Sequence, residues 1–163
     1  FYMRYIHHIR HCSAVAIILF LTIVNLISCS RSDTDSQLKA VVDSFATHYY
    51  NWQFKQALPY CTPESESWLR FAATNVQQSD VDILRAQDEG ASYQINDIKF
   101  GLGDSTAIVS LTVSHYLRMD TVGNAGQFVN KADFQLPVVC RNGRWMVHLT
   151  ALPYSQNGRP TAK

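Results

Sequence analysis

Charge of one sign is what this chain lacks first. Its 14 Lys and Arg stand against 13 Asp and Glu, for a net charge of +1, and Arg70, Arg85, Lys99, Arg118 and Lys131 are scattered between acids. A nucleic-acid surface concentrates cations to neutralise phosphates, so nucleic acid is not expected as a partner. Arg141 and Arg144 come nearest to a basic cluster, and they flank a turn, which reads as a solvated hairpin end. Metal ligands are as sparse. Beyond residue 28 the histidines are His48, His115 and His148, with no finger-like spacing to a cysteine and no His-x-x-x-His pair, so no metal site is expected. There is no phosphate-binding glycine loop and no nucleophile elbow, and nothing calls for a cofactor. The longest apolar run falls short of the roughly 20 residues that a bilayer core demands.

That short run has a different use. Arg4 and Arg10 with His7, His8 and His11 make a basic start, residues 14–24 are apolar, and Leu26-Ile27-Ser28 lead directly to Cys29. A small residue before a cysteine at the end of an apolar stretch is the pattern of a lipobox, in which the thiol is alkylated before the leader is cut away. Residues 1–28 are therefore read as a lipoprotein signal peptide, with translation expected to start at Met3, and Cys29 as the lipidation site. The rival reading is an ordinary cleaved signal with Ser28 at the cut. Two or three acyl chains, at about 0.8 kcal/mol per buried methylene, hold a protein firmly where one does not. The expected location is a bacterial cell envelope, on the periplasmic or surface side of a membrane, most simply the outer one. Losing both leader arginines takes the charge from +1 to −1.

Residues 29–36 are polar and without apolar periodicity, and read as a tether. The chain beyond the tether is long and apolar enough for one core. Leu38, Val41, Val42, Phe45 and Tyr49 recur at helical spacing, so a helix is predicted from Ser36 to Tyr50 with Asp35 or Ser36 as its cap. A brief turn over 52–58 is expected to end at Pro59. Thr62 would cap a third helix with Pro63 in its first position and Glu64 and Glu66 in its first turn. A fourth would start at Ser79 or Asp80 and stop by Gly90.

After Gly90 the period becomes two. Tyr93 and Ile95 alternate, then Ile98 and Phe100 do so in the opposite phase, which places a bulge near Asn96 and Asp97. Ala107, Val109, Leu111, Val113, His115 and Leu117 form a second strand, after a turn at Gly103-Asp104. A third carries Phe128, Ala132, Phe134, Leu136 and Val138. Asn142-Gly143 then signals a type I′ hairpin into a fourth with Trp145, Val147 and Leu149. The expected fold class is α+β, with N-terminal helices on a four-stranded antiparallel sheet. The domain spans 37–152, and residues 153–163 read as a frayed tail. In an exported domain Cys61 and Cys140 are expected to form a disulfide, the alternative being two free thiols.

The stretch Tyr49-Tyr50-Asn51-Trp52-Gln53-Phe54-Lys55-Gln56-Ala57-Leu58, the helix opening Cys61-Thr62-Pro63-Glu64-Ser65 and the strand Gly143-Arg144-Trp145-Met146-Val147 resemble the nuclear-transport-factor-2-like superfamily, within it small bacterial lipoproteins of unknown function. The resemblance covers roughly residues 36–152. It implies a cone-shaped roll, a bent sheet round a long helix, often with a pocket between them. Members include isomerases, dehydratases, transport adaptors and proteins without known activity, so fold does not settle function.

Tyr49, Trp52, His115 and Phe134 are the residues expected at such a pocket. His115 shares the inward phase of Val113 and Leu117, where burial would shift an imidazole; with Tyr49, Tyr50, Trp52 and Asp133 it could serve general acid and base chemistry. Asp133, however, reads outward, and a lone histidine at a sheet end is more often a packing residue. Tyr116 and Val129 read outward too, on a face that would suit a homodimer. The leading expectation is a lipid-anchored, non-enzymatic protein that binds a small molecule or a protein partner. The alternative is a pocket enzyme of isomerase or dehydratase type using His115.

Overall fold

The computed structural model describes residues 30–119 and 124–155, with side chains from residue 33. The leader, Cys29 and residues 156–163 lie outside the described residues. The chain divides between Gln37 and Leu38; of the first unit only residues 30–37, the opening of a helix, are described, and the second holds the domain.

Helix α1 (Ser30–Tyr50) is longer than the sequence pattern requires. It takes in the segment read as a tether, because residues 30–36 contain neither Gly nor Pro and place Asp33 in the first turn, where the macrodipole favours an acid. Leu38, Val42, Phe45, Ala46 and Tyr50 repeat at three or four residues and are buried, so this one stripe carries the helix contribution to the core. Two side chains fasten its C-terminal end. Asn51 accepts from the Ala91 N–H at 2.8 Å and donates to the Ala91 carbonyl at 3.1 Å, an approach that leaves no room for a Cβ on Gly90. Trp52, at φ +60°, donates its indole N–H to the Leu117 carbonyl at 3.0 Å.

Helix α2 (Phe54–Ala57) runs into a 3₁₀ turn, Leu58–Tyr60, so Pro59 continues the coil rather than ending it. A second 3₁₀ turn, Pro63–Ser65, begins at Thr62 and leads to α3 (Glu66–Thr74). Helix α4 (Gln78–Arg85) is capped by Gln77, with Asp80 closing the reciprocal bond at the third position. The strands are β1 (Ser92–Phe100), β2 (Thr106–Arg118), β3 (Gln127–Arg141) and β4 (Arg144–Val147). They form one sheet in the order β1-β2-β3-β4, every pair antiparallel. This is the α+β arrangement expected. The register of β1 on β2 slips between Ile95 and Asp97, leaving Asn96 as the extra residue, and Asn142 and Gly143 both have the positive φ that a type I′ turn demands. Helix residues Leu38, Val42 and Phe45 share one buried cluster with Val109, Leu111, Leu136 and Val138 of the sheet.

The expected disulfide is absent: Cys61 and Cys140 are both free. Strand β4 stands between them. Cys140 pairs with Trp145 across β3 and β4, while Cys61 bridges to Val147 from the other side of β4. Two strand spacings amount to about 9.5 Å, beyond the roughly 7 Å between Cα atoms that a disulfide can span. Cys61 instead donates its S–H to the Ala57 carbonyl, and burial pushes its thiol up to about 12. The segment carrying it is tied to β4 through hydroxyls and amides: Thr62 N–H donates to the Val147 carbonyl, and the Ser65 hydroxyl accepts from Leu149 N–H. The hairpin arginines reinforce the same seam. Arg141 pairs with Glu64 at 2.7 Å, and hydrogen bonding from Arg141 is the main reason the Glu64 carboxyl is held down at about 2. Arg144 donates to the Pro59 carbonyl.

Candidate functional site

Aromatic side chains from three places converge because α1 ends beside β2 and β3. Tyr49 and Tyr50 close α1, Trp52 and Phe54 come next, Tyr116 stands near the end of β2 and Phe134 in the middle of β3. Their rings meet edge to face or tilted: Tyr50 to Phe134 at 4.9 Å, Tyr50 to Tyr116 at 6.1 Å, Tyr116 to Phe134 at 5.4 Å and Tyr49 to Phe54 at 5.6 Å between centroids. These are preferred arrangements for rings with electron-rich faces and positive edges. They wall a cavity of about 680 Å³, within the range that accommodates small organic ligands. Phe71 of α3 and Asn75 at its C-cap complete one side, Leu117, Arg118 and Met119 another, and residues 152–155 a third. Pro153 to Ser155 fall in the segment expected to be a frayed tail; here they line the cavity.

Of the four residues singled out from sequence, Tyr49, Trp52 and Phe134 line the cavity, and His115 does not. At His115 the backbone takes φ +54°, a left-handed conformation uncommon for a residue with a Cβ, and the alternation of β2 changes there. His115 is exposed, its ring 6.3 Å from that of the exposed Phe128, while Tyr116 is buried at 4% exposure and lines the cavity. The inward reading of His115 and the outward reading of Tyr116 are both corrected by that single dihedral. The supposed dimer face thereby loses Tyr116, and Val129 is half-buried against the core. Asp133 lies on the exposed side, accepting from the Thr112 hydroxyl at 2.6 Å, which in turn accepts from Asn96.

The chemistry available in the cavity is that of neutral donors. Burial pushes the phenols of Tyr49, Tyr50 and Tyr116 upward, so all three hold their protons at neutral pH; in Tyr116 the charge of nearby Arg118 opposes the shift. The Tyr50 hydroxyl is buried and has no hydrogen-bond partner among the described residues, an arrangement that costs about 1–3 kcal/mol while it stays unmet. The Trp52 indole is already committed to Leu117. Arg118 is the one charged residue among those lining the cavity; one of its N–H groups donates to Gln127 at 2.6 Å. Among the described residues, no carboxylate, histidine or thiol belongs to the lining. Elsewhere among the described residues, no group of three or more His, Cys, Asp and Glu could hold a metal ion, and no helix is long and apolar enough to cross a membrane.

Sequence reasoning missed Tyr116 and Arg118 at the cavity and brought Tyr50 there only as a companion of His115. Tyr50 comes directly after Tyr49, and neighbours on a helix point about 100° apart, yet both line the cavity, their rings edge to face at 5.2 Å.

No protein-family model matches this chain, and no curated protein matches it. Among solved structures, the chain is similar to an NTF-2-like protein of unknown function from Shewanella oneidensis MR-1, with 11% identity, coverage of 70% of this chain and 96% of that one, and a TM-score of 0.46.

Proposed function

We propose that this chain is a lipid-anchored envelope protein of the nuclear-transport-factor-2-like kind, whose domain holds a small, largely apolar ligand in the aromatic cavity. The observation that carries the binding half is the lining itself: rings on most sides, phenols that stay protonated, and, among the described residues, no group able to exchange a proton near neutrality. General acid and base catalysis needs a group poised near the working pH, and His115 sits outside the cavity. Such a lining favours binding over turnover.

The neutral dye N-phenyl-1-naphthylamine, which brightens in apolar surroundings, tests this half. Saturable brightening with a one-to-one endpoint is the expected result; a signal that never saturates would refute a defined cavity. The anchoring half is supported by the pattern ending in Cys29. Cys29→Ser is expected to move the protein wholly from the membrane fraction and to abolish the acyl mass on its amino terminus. An unacylated terminus in the unaltered protein would rule the anchor out.

A further inference from the structure

We propose that the cavity selects a ring-bearing carboxylate, its rings packed against the wall formed by Tyr50, Tyr116 and Phe134 and its anionic end met by Arg118 at the rim. The inference rests on the binding function proposed for the cavity and narrows it to a ligand class.

Three features of the lining converge on that class. The first is sign. Arg118 is exposed and no acid is found among the described residues of the lining, so these residues offer an incoming ligand a cation and no carboxylate. The second is geometry. Arg118 stands two residues beyond Tyr116 on β2, about 7 Å along a strand, and the side-chain Oε1 of Gln127 accepts from one of its N–H groups. A guanidinium carries five donors in a planar fork, so that bond orients it and leaves donors for a carboxylate. The third is shape. Tyr50 lies 4.9 Å from Phe134 and 6.1 Å from Tyr116, both at steep angles, a wall that offers ring edges and faces to another ring.

The test is displacement of N-phenyl-1-naphthylamine from the full chain by biphenyl-4-carboxylate, biphenyl-4-carboxamide and dodecanoate. The carboxylate is expected to compete about tenfold better than the amide, the scale of one charge-assisted contact at an exposed rim, with an advantage that shrinks as salt rises. In Arg118→Gln the ratio should fall to near one, and in Arg118→Lys it should lie between, because a lysine keeps the charge but not the fork. Equal competition by carboxylate and amide, or a ratio that Arg118→Gln leaves intact, would overturn the proposal. Dodecanoate competing better than the biphenyl acid would overturn the ring preference. If Arg118→Gln does not fold, the ratio and its salt dependence in the unaltered protein decide. Failure of the dye to bind would instead sink the binding function itself, whereas dye binding without discrimination sinks only this inference.

Discussion

Phe45→Ala is expected to cost about 3–5 kcal/mol of folding stability, the usual loss for truncating a buried aromatic. Phe45 is fully buried and is the largest such side chain among the described residues. It belongs to the cluster that joins α1 to the central strands, so the void would open at the seam between helix and sheet rather than at a surface where neighbours can collapse into it. Its ring also stacks on Tyr49 at 5.1 Å and 15°, and Tyr49 lines the cavity. Stability and ligand affinity should therefore fall together. A small domain has only about 5–15 kcal/mol to lose, so chemical denaturation should show a midpoint shifted far down at unchanged slope. A loss under about 1 kcal/mol, the scale of a surface change, would show that α1 is not packed on the sheet as described.

The second large effect lies at Asp80. This carboxylate is 2% exposed and accepts from two backbone donors, Gln77 N–H at 2.9 Å and Gly126 N–H at 2.6 Å. The first bond caps α4; the second holds the start of β3 beside the cavity rim, next to the Gln127 that orients Arg118. Asp80→Ala leaves two donors unmet and should cost about 2–4 kcal/mol, from a lost cap together with unsatisfied amides. Asp80→Asn keeps one good acceptor and should cost about half as much. Amide exchange would check the mechanism: protection at Gly126 should vanish in the alanine variant and persist in part in the asparagine one. Equal losses in both variants would mean that the carboxylate acts through its charge rather than through these two bonds.

How much of the fold is legible in the sequence depends on the range of the forces involved. Asn142-Gly143 announces its turn because the conformational demand sits on those two residues themselves. The bulge at Asn96 shows as a change of apolar phase between Ile95 and Ile98. Helix α1 is visible from its stripe, although its start is not, since polar residues such as Asp33 and Ser36 suit a tether and a first turn equally well. Asp80 reads as a cap but is the third residue of a capping box, a difference that only the Gln77 backbone bond reveals. His115 is the instructive failure. Its left-handed backbone has no local signature in a Ser-His-Tyr stretch, and tertiary packing of Tyr116 against Tyr50 and Phe134 decides the phase. The cysteine pairing fails for the same reason, because counting thiols says nothing about a strand that runs between them.

The central claim is that the cavity walled by Tyr49, Tyr50, Tyr116 and Phe134 is open to a ligand. A crystal structure of the protein grown with N-phenyl-1-naphthylamine addresses it most directly. The naphthalene is expected against those rings, with Tyr154 and Phe71 at its edge. A cavity closed by its own rings, with the dye bound elsewhere or not at all, would contradict the account.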